Sequence, residues 1–195
     1  MEFNISKLTW LNKPKKFDIS EKIIIIVTEP KTDFWQKTYY GFSHDNAHAL
    51  VQSIDEDFTF SVKTYFNVKK PYDQCGVTIY QDNKNWFKAS IEYENKQYSK
   101  LGSVVTNIGY SDWSTEEIST DINTMWYRLS RKGQDFLIEN SYDGLKFKQM
   151  RIFHMHKLID KVNVGIYACS PMVSSFTAVF TNMNFANCIW QKHSF

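Results

Sequence analysis

The chain has 195 residues, with 23 basic against 21 acidic side chains and a formal net charge of +2. Charges of both signs are mixed along it, which gives no extended field to attract nucleic acid or anionic lipid; a hydrophobic fraction of 43% and a charged fraction of 23% exclude disordered, collagen-like and membrane-spanning compositions. The length suits one continuous domain over residues 1–195, and an aromatic fraction of 16% favours pleated surfaces and stacking sites over helical cores.

The opening MEFNISKLTWLNKPKKF has no apolar segment of signal-peptide length, and the longest aliphatic run, Ile23 to Val27, is far short of the roughly 20 residues a membrane span needs. A cytoplasmic protein without membrane contact is expected. No stretch shows sustained helical periodicity. Short runs rich in Val, Ile, Thr, Phe and Tyr instead predict strands over 22–27, 57–66, 76–81, 86–94 and 103–108. Ser114-Thr115-Glu116-Glu117 has capping-box spacing, but no apolar helical run follows, so it starts one turn at most. From Met125, the runs WYRLSR, QDFLIENSY and LKFKQMRIF read as an antiparallel meander broken at Lys132-Gly133 and at Asp143-Gly144. Asp143-Gly144 is assigned a type I′ turn, whose two central positions both need positive φ. Further strands are predicted over 163–169 and 176–185, with loops at Pro14, Pro30, Pro71 and Pro171. About ten short strands without a linker or repeat predict an all-β, two-sheet antiparallel sandwich. The three cysteines, Cys75, Cys169 and Cys188, are odd in number and lack CxxC spacing, so they read as buried thiols and not as a disulfide framework or zinc ribbon.

Period-two alternation assigns faces. Phe87, Ala89, Ile91 and Tyr93 suit a core, which leaves Trp86, Lys88, Ser90 and Glu92 together on the opposite face. Across a hairpin at Asp82-Asn83-Lys84-Asn85, Gln74, Gly76, Thr78 and Tyr80 join that polar face. The run from Met125 likewise separates Tyr127 and Leu129 from Trp126, Arg128 and Ser130, and if these strands share a sheet its outward face is aromatic and polar.

Several ordered motifs carry a family resemblance: Thr32-Asp33-Phe34-Trp35, Tyr72-Asp73-Gln74-Cys75-Gly76, Trp86-Phe87-Lys88 with Glu92, Ser103-Val104-Val105-Thr106, Ser111-Asp112-Trp113-Ser114, Arg128 with Ser141-Tyr142-Asp143-Gly144, and Gly165 with Ser170-Pro171. Together they resemble the domain of unknown function 1349 family, also called regulation-of-enolase-like, over nearly the whole chain. Cys75 departs from the pattern, which has a small residue such as Ala there. The resemblance implies a jelly-roll sandwich of the concanavalin A-like lectin/glucanase type, with a concave face that holds carbohydrate in related superfamilies.

On that face a ligand cleft is expected from Trp35, Gln74, Trp86, Lys88, Glu92, Trp113 and Arg128, with His48 at its rim. Sugars present apolar C–H faces and many hydroxyls, which aromatic platforms and fixed polar groups recognise. The alternative is that Trp86 and Trp113 are packing residues while Lys88, Glu92 and Arg128 form solvated cross-strand pairs. Replacing Trp86 with Ala distinguishes them, abolishing binding without unfolding in the first case. Phosphorylated sugars or glycan fragments suit Lys88 and Arg128.

Glu92 and Glu94, at i and i+2 about 7 Å apart, make a carboxylate pair of interest for glycoside hydrolysis. The E-x-D-x-x-E or E-x-D-x-E series of glycosidases with this fold is missing, so no catalytic set is assigned. His44 and His48 at i, i+4 and His154-Met155-His156 at i, i+2 have metal-pair spacing but no evident third ligand, and His44 reads as part of a surface loop. No Gly-rich phosphate cradle and no cofactor signature occurs. The expected partner is thus a carbohydrate or sugar-like small molecule; a glycoside hydrolase or polysaccharide lyase, and a protein-interaction module linked to carbohydrate metabolism, are the competing readings.

Overall fold

The computed structural model describes residues 3–68, 70–157 and 161–191. After a 3₁₀ turn at Ile5–Lys7, sixteen strands follow among the described residues, here numbered along the chain. The first sheet contains, in spatial order, β1 (Thr9–Leu11), β6 (His48–Ile54), β15 (Val162–Cys169), β8 (Gln74–Asp82), β9 (Asn85–Tyr93), β10 (Tyr98–Asn107) and β11 (Tyr110–Ser119). The second contains β14 (Lys148–His154), β13 (Asp135–Ser141), β12 (Thr124–Lys132), β7 (Phe58–Phe66), β16 (Thr177–Asn187), β3 (Ile23–Val27) and β2 (Lys16–Ile19). A separate ribbon pairs β4 (Phe34–Gln36) with β5 (Ser43–Asp45).

The two seven-stranded sheets, antiparallel throughout, form the expected jelly-roll sandwich. Alternate side chains of each sheet meet in the main core, which takes Phe87, Ala89 and Ile91 from β9 together with Tyr127, Leu129, Phe136 and Phe153 from the facing sheet. Phe153 stacks on Phe87 at 4.2 Å and on Phe136 at 5.2 Å between ring centroids, tying the sheets together. Each fully buried Phe, Leu or Ile among these contributes about 1.5–3 kcal/mol relative to exposure.

All ten predicted strands are present, and β1, β2, β4, β5, β6 and β11 are additional. The Ser114–Glu117 stretch lies inside β11 and not in a turn. The turns at Lys132-Gly133 and at Asp82–Asn85 fall where expected, but the one at Asp143-Gly144 differs. Asp143-Gly144 sits in a loop between β13 and β14 in which only Gly144 has positive φ, +74°. Asp143 organises it by accepting the backbone N–H groups of Leu145 at 2.8 Å and Lys146 at 2.9 Å. The positive-φ pair that a type I′ turn requires falls at Ile108 (+55°) and Gly109 (+78°), between β10 and β11.

A second apolar cluster forms on the outer face of the first sheet. There Phe34 and Trp35 of the ribbon pack on Ala47, Ala49, Val51, Trp86, Val104, Tyr167 and Cys169. The ribbon is fastened at its far end by the Gln36 N–H, which donates to Ser111 Oγ at 2.9 Å. This covering layer explains why β6, β8, β9 and β15 are buried on both faces over most of their length, unlike an ordinary half-solvated antiparallel strand. Cys75 and Cys169 are buried free thiols, and Cys188 is half-buried. Among the described residues no helix is long and apolar enough to cross a membrane.

Candidate functional site

The cross-strand register aligns the outward-facing positions of β8, β9, β10 and β11 into rows. Gln74 lies opposite Glu92 and Glu92 opposite Lys100; Gly76, Ser90 and Gly102 form the next row; Lys88, Val104 and Trp113 form the third. Gly76 allows a close backbone approach, since a Cβ there would strike the Ala89 carbonyl oxygen at 1.9 Å. A Cβ on Gly102 would come 2.8 Å from Thr115 Cγ2 and 3.1 Å from Trp113 Nε1, so the bare backbone there makes room for the indole. Over Gly76, the register neighbour of Tyr167, the phenol of Tyr167 reaches across to donate towards Gln74 Oε1 at 2.9 Å and Ser90 Oγ at 2.7 Å.

The rows form the floor of a cleft of about 380 Å³. Trp35, Tyr40, Phe42 and His44 of the ribbon, Tyr72, Met172 and Trp113 wall it. Its aromatic side is continuous: Trp35 meets Trp113 edge-on at 6.3 Å and Tyr40 at 5.4 Å, and Tyr40 stacks with Phe42 at 5.6 Å. The ribbon tip bends sharply through Lys37, Tyr39 and Gly41, all at positive φ, and leaves the Tyr39 side chain 94% exposed.

Polar groups at the floor are fixed by neighbours. Lys88, only 4% exposed, pairs with Asp33 at 3.0 Å, and Asp33 Oδ1 also accepts the Phe34 N–H at 2.7 Å. Burial pulls the Lys88 ammonium down, but the carboxylates of Asp33 and Glu92 outweigh it and hold the lysine above its usual range. Gln74 Nε2 donates to Glu92 Oε2 at 2.6 Å and to the Tyr72 carbonyl at 3.2 Å. Burial raises Glu92 from 4.5 to about 7; Lys88 opposes that rise and Asp33 adds to it. Lys100 pairs with Glu94 at 2.6 Å, which raises its pKa, and its ammonium lies 4.9 Å from the centroid of Trp113.

Of the residues expected in the cleft, Trp35, Gln74, Lys88, Glu92 and Trp113 line it. Trp86, Arg128 and His48 stand elsewhere. Trp86 faces outward as the alternation predicts, but the ribbon covers it completely and Phe34 packs on it at 5.5 Å. Arg128 is on β12, in the opposite sheet from β9, so its outward face is the far side of the sandwich. There it makes a two-pronged bond to its direct cross-strand neighbour Glu139, at 2.7 and 2.8 Å, and stacks on Phe147 at 4.0 Å. His48 is buried with both ring nitrogens committed: Nδ1 donates to the Asn12 carbonyl at 2.6 Å, and Nε2 accepts the Glu29 N–H at 3.1 Å. It braces two loops and does not reach the rim. His44, on β5, is the histidine that lines the cleft.

Asp33, Ser90, Lys100 and the Tyr40–Phe42 tip were not among the expected site residues. Ser90 shares the alternation of Lys88 and Glu92, and Asp33 belongs to the motif that carries Trp35, so both had a signal in the sequence. Lys100 and the tip had none, because β10 begins earlier than its apolar run and the ribbon strands are only three residues long. Among the described residues no group of three or more His, Cys, Asp or Glu is placed to hold a metal ion; His154 and His156 lie ring to ring at 5.0 Å, with Asp135 bonded to His154 at 2.7 Å.

Residues 10–188 match the family described as protein of unknown function, DUF1349. The chain is 33% identical over 177 residues to Regulation of enolase protein 1 of Saccharomyces cerevisiae strain ATCC 204508 / S288c, covering 91% of this chain and 88% of that protein. The crystal structure of a functionally unknown Saccharomyces cerevisiae protein superposes with a TM-score of 0.89 at 30% identity, over 96% of this chain and all of that one. A GH43 protein, BlXynB of Bacillus licheniformis, shares the fold at a TM-score of 0.68 and 15% identity, over 92% of this chain but only 36% of that one. The chain belongs to the DUF1349 family.

Proposed function

We propose that this DUF1349 protein binds a carbohydrate or sugar-like metabolite in the cleft without transforming it. The observation that carries the reading is the pairing of an aromatic wall, Trp35 with Trp113, with a floor of polar groups held in place by their own neighbours, Gln74, Ser90, Lys88 and Glu92. Apolar ring faces stack on such a wall, while preorganised donors and acceptors meet hydroxyls without the entropy of ordering them on binding. The GH43 fold relationship is in keeping with carbohydrate recognition on this scaffold. A cytoplasmic location goes with this reading and favours a small metabolite or glycan fragment over structural polysaccharide.

A thermal-shift screen of mono- and oligosaccharides tests it. A ligand at a hundredfold excess over its Kd raises stability by about 2.7 kcal/mol, and Trp113→Ala removes that gain. No shift across the panel overturns the reading in favour of a protein partner, the possibility raised by the name of the yeast relative.

A second reading, hydrolase or lyase action through Glu92 and Lys88, is favoured by one observation: a carboxyl raised to about 7 can both donate and accept a proton near neutrality. Turnover of any glycan, lost in Glu92→Gln, would establish it in place of simple binding.

A further inference from the structure

We infer that the cleft selects uncharged sugars and polyols and rejects their phosphorylated and uronate forms, a specificity that rests on the binding role proposed above. Phosphate and carboxylate groups are recognised by unpaired cations or by convergent backbone N–H groups. Among the described residues that line the cleft, each lysine already has a carboxylate partner. Lys88 is charge-paired with Asp33 at 3.0 Å, and Lys100 with Glu94 at 2.6 Å while lying against Trp113. Arg128, which would have completed a basic pocket, is bound to Glu139 on the other sheet.

What the floor presents instead is acceptors. The Glu92 carboxylate takes one amide proton from Gln74 on Oε2, and among the described residues it enters no ion pair. Asp33 adds a second carboxylate, already balanced by Lys88. The Gln74 amide is consumed by Glu92 and the Tyr72 carbonyl, so it cannot turn to serve an anion without breaking both bonds. A hydroxyl entering this floor donates to Glu92 and gains a charge-assisted hydrogen bond. An anion entering it meets Glu92 at close range inside a partly desolvated site, where like-charge repulsion is weakly screened.

Titration calorimetry of the full chain at pH 8, above the value of about 7 to which burial raises Glu92, compares glucose with glucose 6-phosphate and glucuronate, and cellobiose and xylose with their acidic counterparts. Each neutral sugar that binds is expected to do so about tenfold or more tightly than its anionic form. Glu92→Gln, which keeps an acceptor for Gln74 but removes the charge, is expected to shrink that ratio several-fold. An anionic form binding as tightly as its parent overturns the specificity while leaving sugar binding intact. An unchanged ratio in Glu92→Gln overturns the part assigned to this carboxylate. Failure of every sugar, neutral or charged, overturns the binding role and the specificity with it.

Discussion

Lys88 Nζ and Asp33 Oδ1 stand 3.0 Å apart on the outer face of the first sheet, joining β9 to the segment leading into β4 across 55 residues of chain. Their side chains are 5% and 16% exposed, so each is the other's replacement for water. Removing one partner strands the other charge. Asp33→Ala is expected to cost about 3–5 kcal/mol in urea unfolding, whereas Lys88→Met combined with Asp33→Asn, which removes both charges, recovers most of that loss. A double variant as unstable as the single one would show that the charge pair is not what holds the ribbon segment.

Trp86 and Trp113 face the same side of the sheet, yet only the second reaches the cleft. Trp86 is completely enclosed by the ribbon, and Trp113 is 36% exposed. Trp86→Ala is expected to lose about 3–5 kcal/mol and to disturb the fold of the ribbon, while Trp113→Ala costs far less and leaves the far-ultraviolet circular dichroism unchanged. Equal destabilisation by the two would mean that Trp113 too is a packing residue.

The contrast marks how far the sequence could be read. Alternation placed Trp86, Lys88, Ser90 and Glu92 on one face and Phe87, Ala89 and Ile91 on the other, because period two follows from the pleat itself. It could not show that a three-residue strand, Phe34–Gln36, folds down over that face, which is a long-range packing event without local periodicity. Nor could it assign sheets: Arg128 alternates correctly on β12, but pairing with β7 and β13 sends it to the opposite surface. His48 lies away from the rim for a related reason, since its place is set by bonds to Asn12 and Glu29, 36 and 19 residues away.

Ile108 occupies the first central position of the Asn107–Tyr110 hairpin at φ +55° with its side chain 59% exposed. A β-branched residue is strained there, and little packing offsets the strain. The backbone N–H of residue 108 keeps its bond to Asn85 Oδ1 at 3.1 Å whatever the side chain. Ile108→Asn is therefore expected to stabilise the protein by about 1 kcal/mol, seen as a raised denaturation midpoint with unchanged slope. A lowered midpoint would show that Ile108 contributes packing that outweighs its strain.

Glu92 supplies a pH signature. Its carboxyl is raised from 4.5 to about 7 in the folded protein, by burial first and by Asp33 and Glu94 against the opposing lysines. Between those values the folded state holds a proton that the unfolded chain has released. Stability then falls as pH rises through this window: the contribution is complete below about 4.5 and gone above about 7, amounting to about 3 kcal/mol. Glu92→Gln cannot ionise, so it should lack this part of the slope and gain most over the parent at pH 8. Denaturation curves of both proteins from pH 4 to pH 8 measure the difference directly. A constant offset between them would mean that Glu92 titrates alike in the folded and unfolded states and that the cleft floor is far better hydrated than its hydrogen bonding to Gln74 implies.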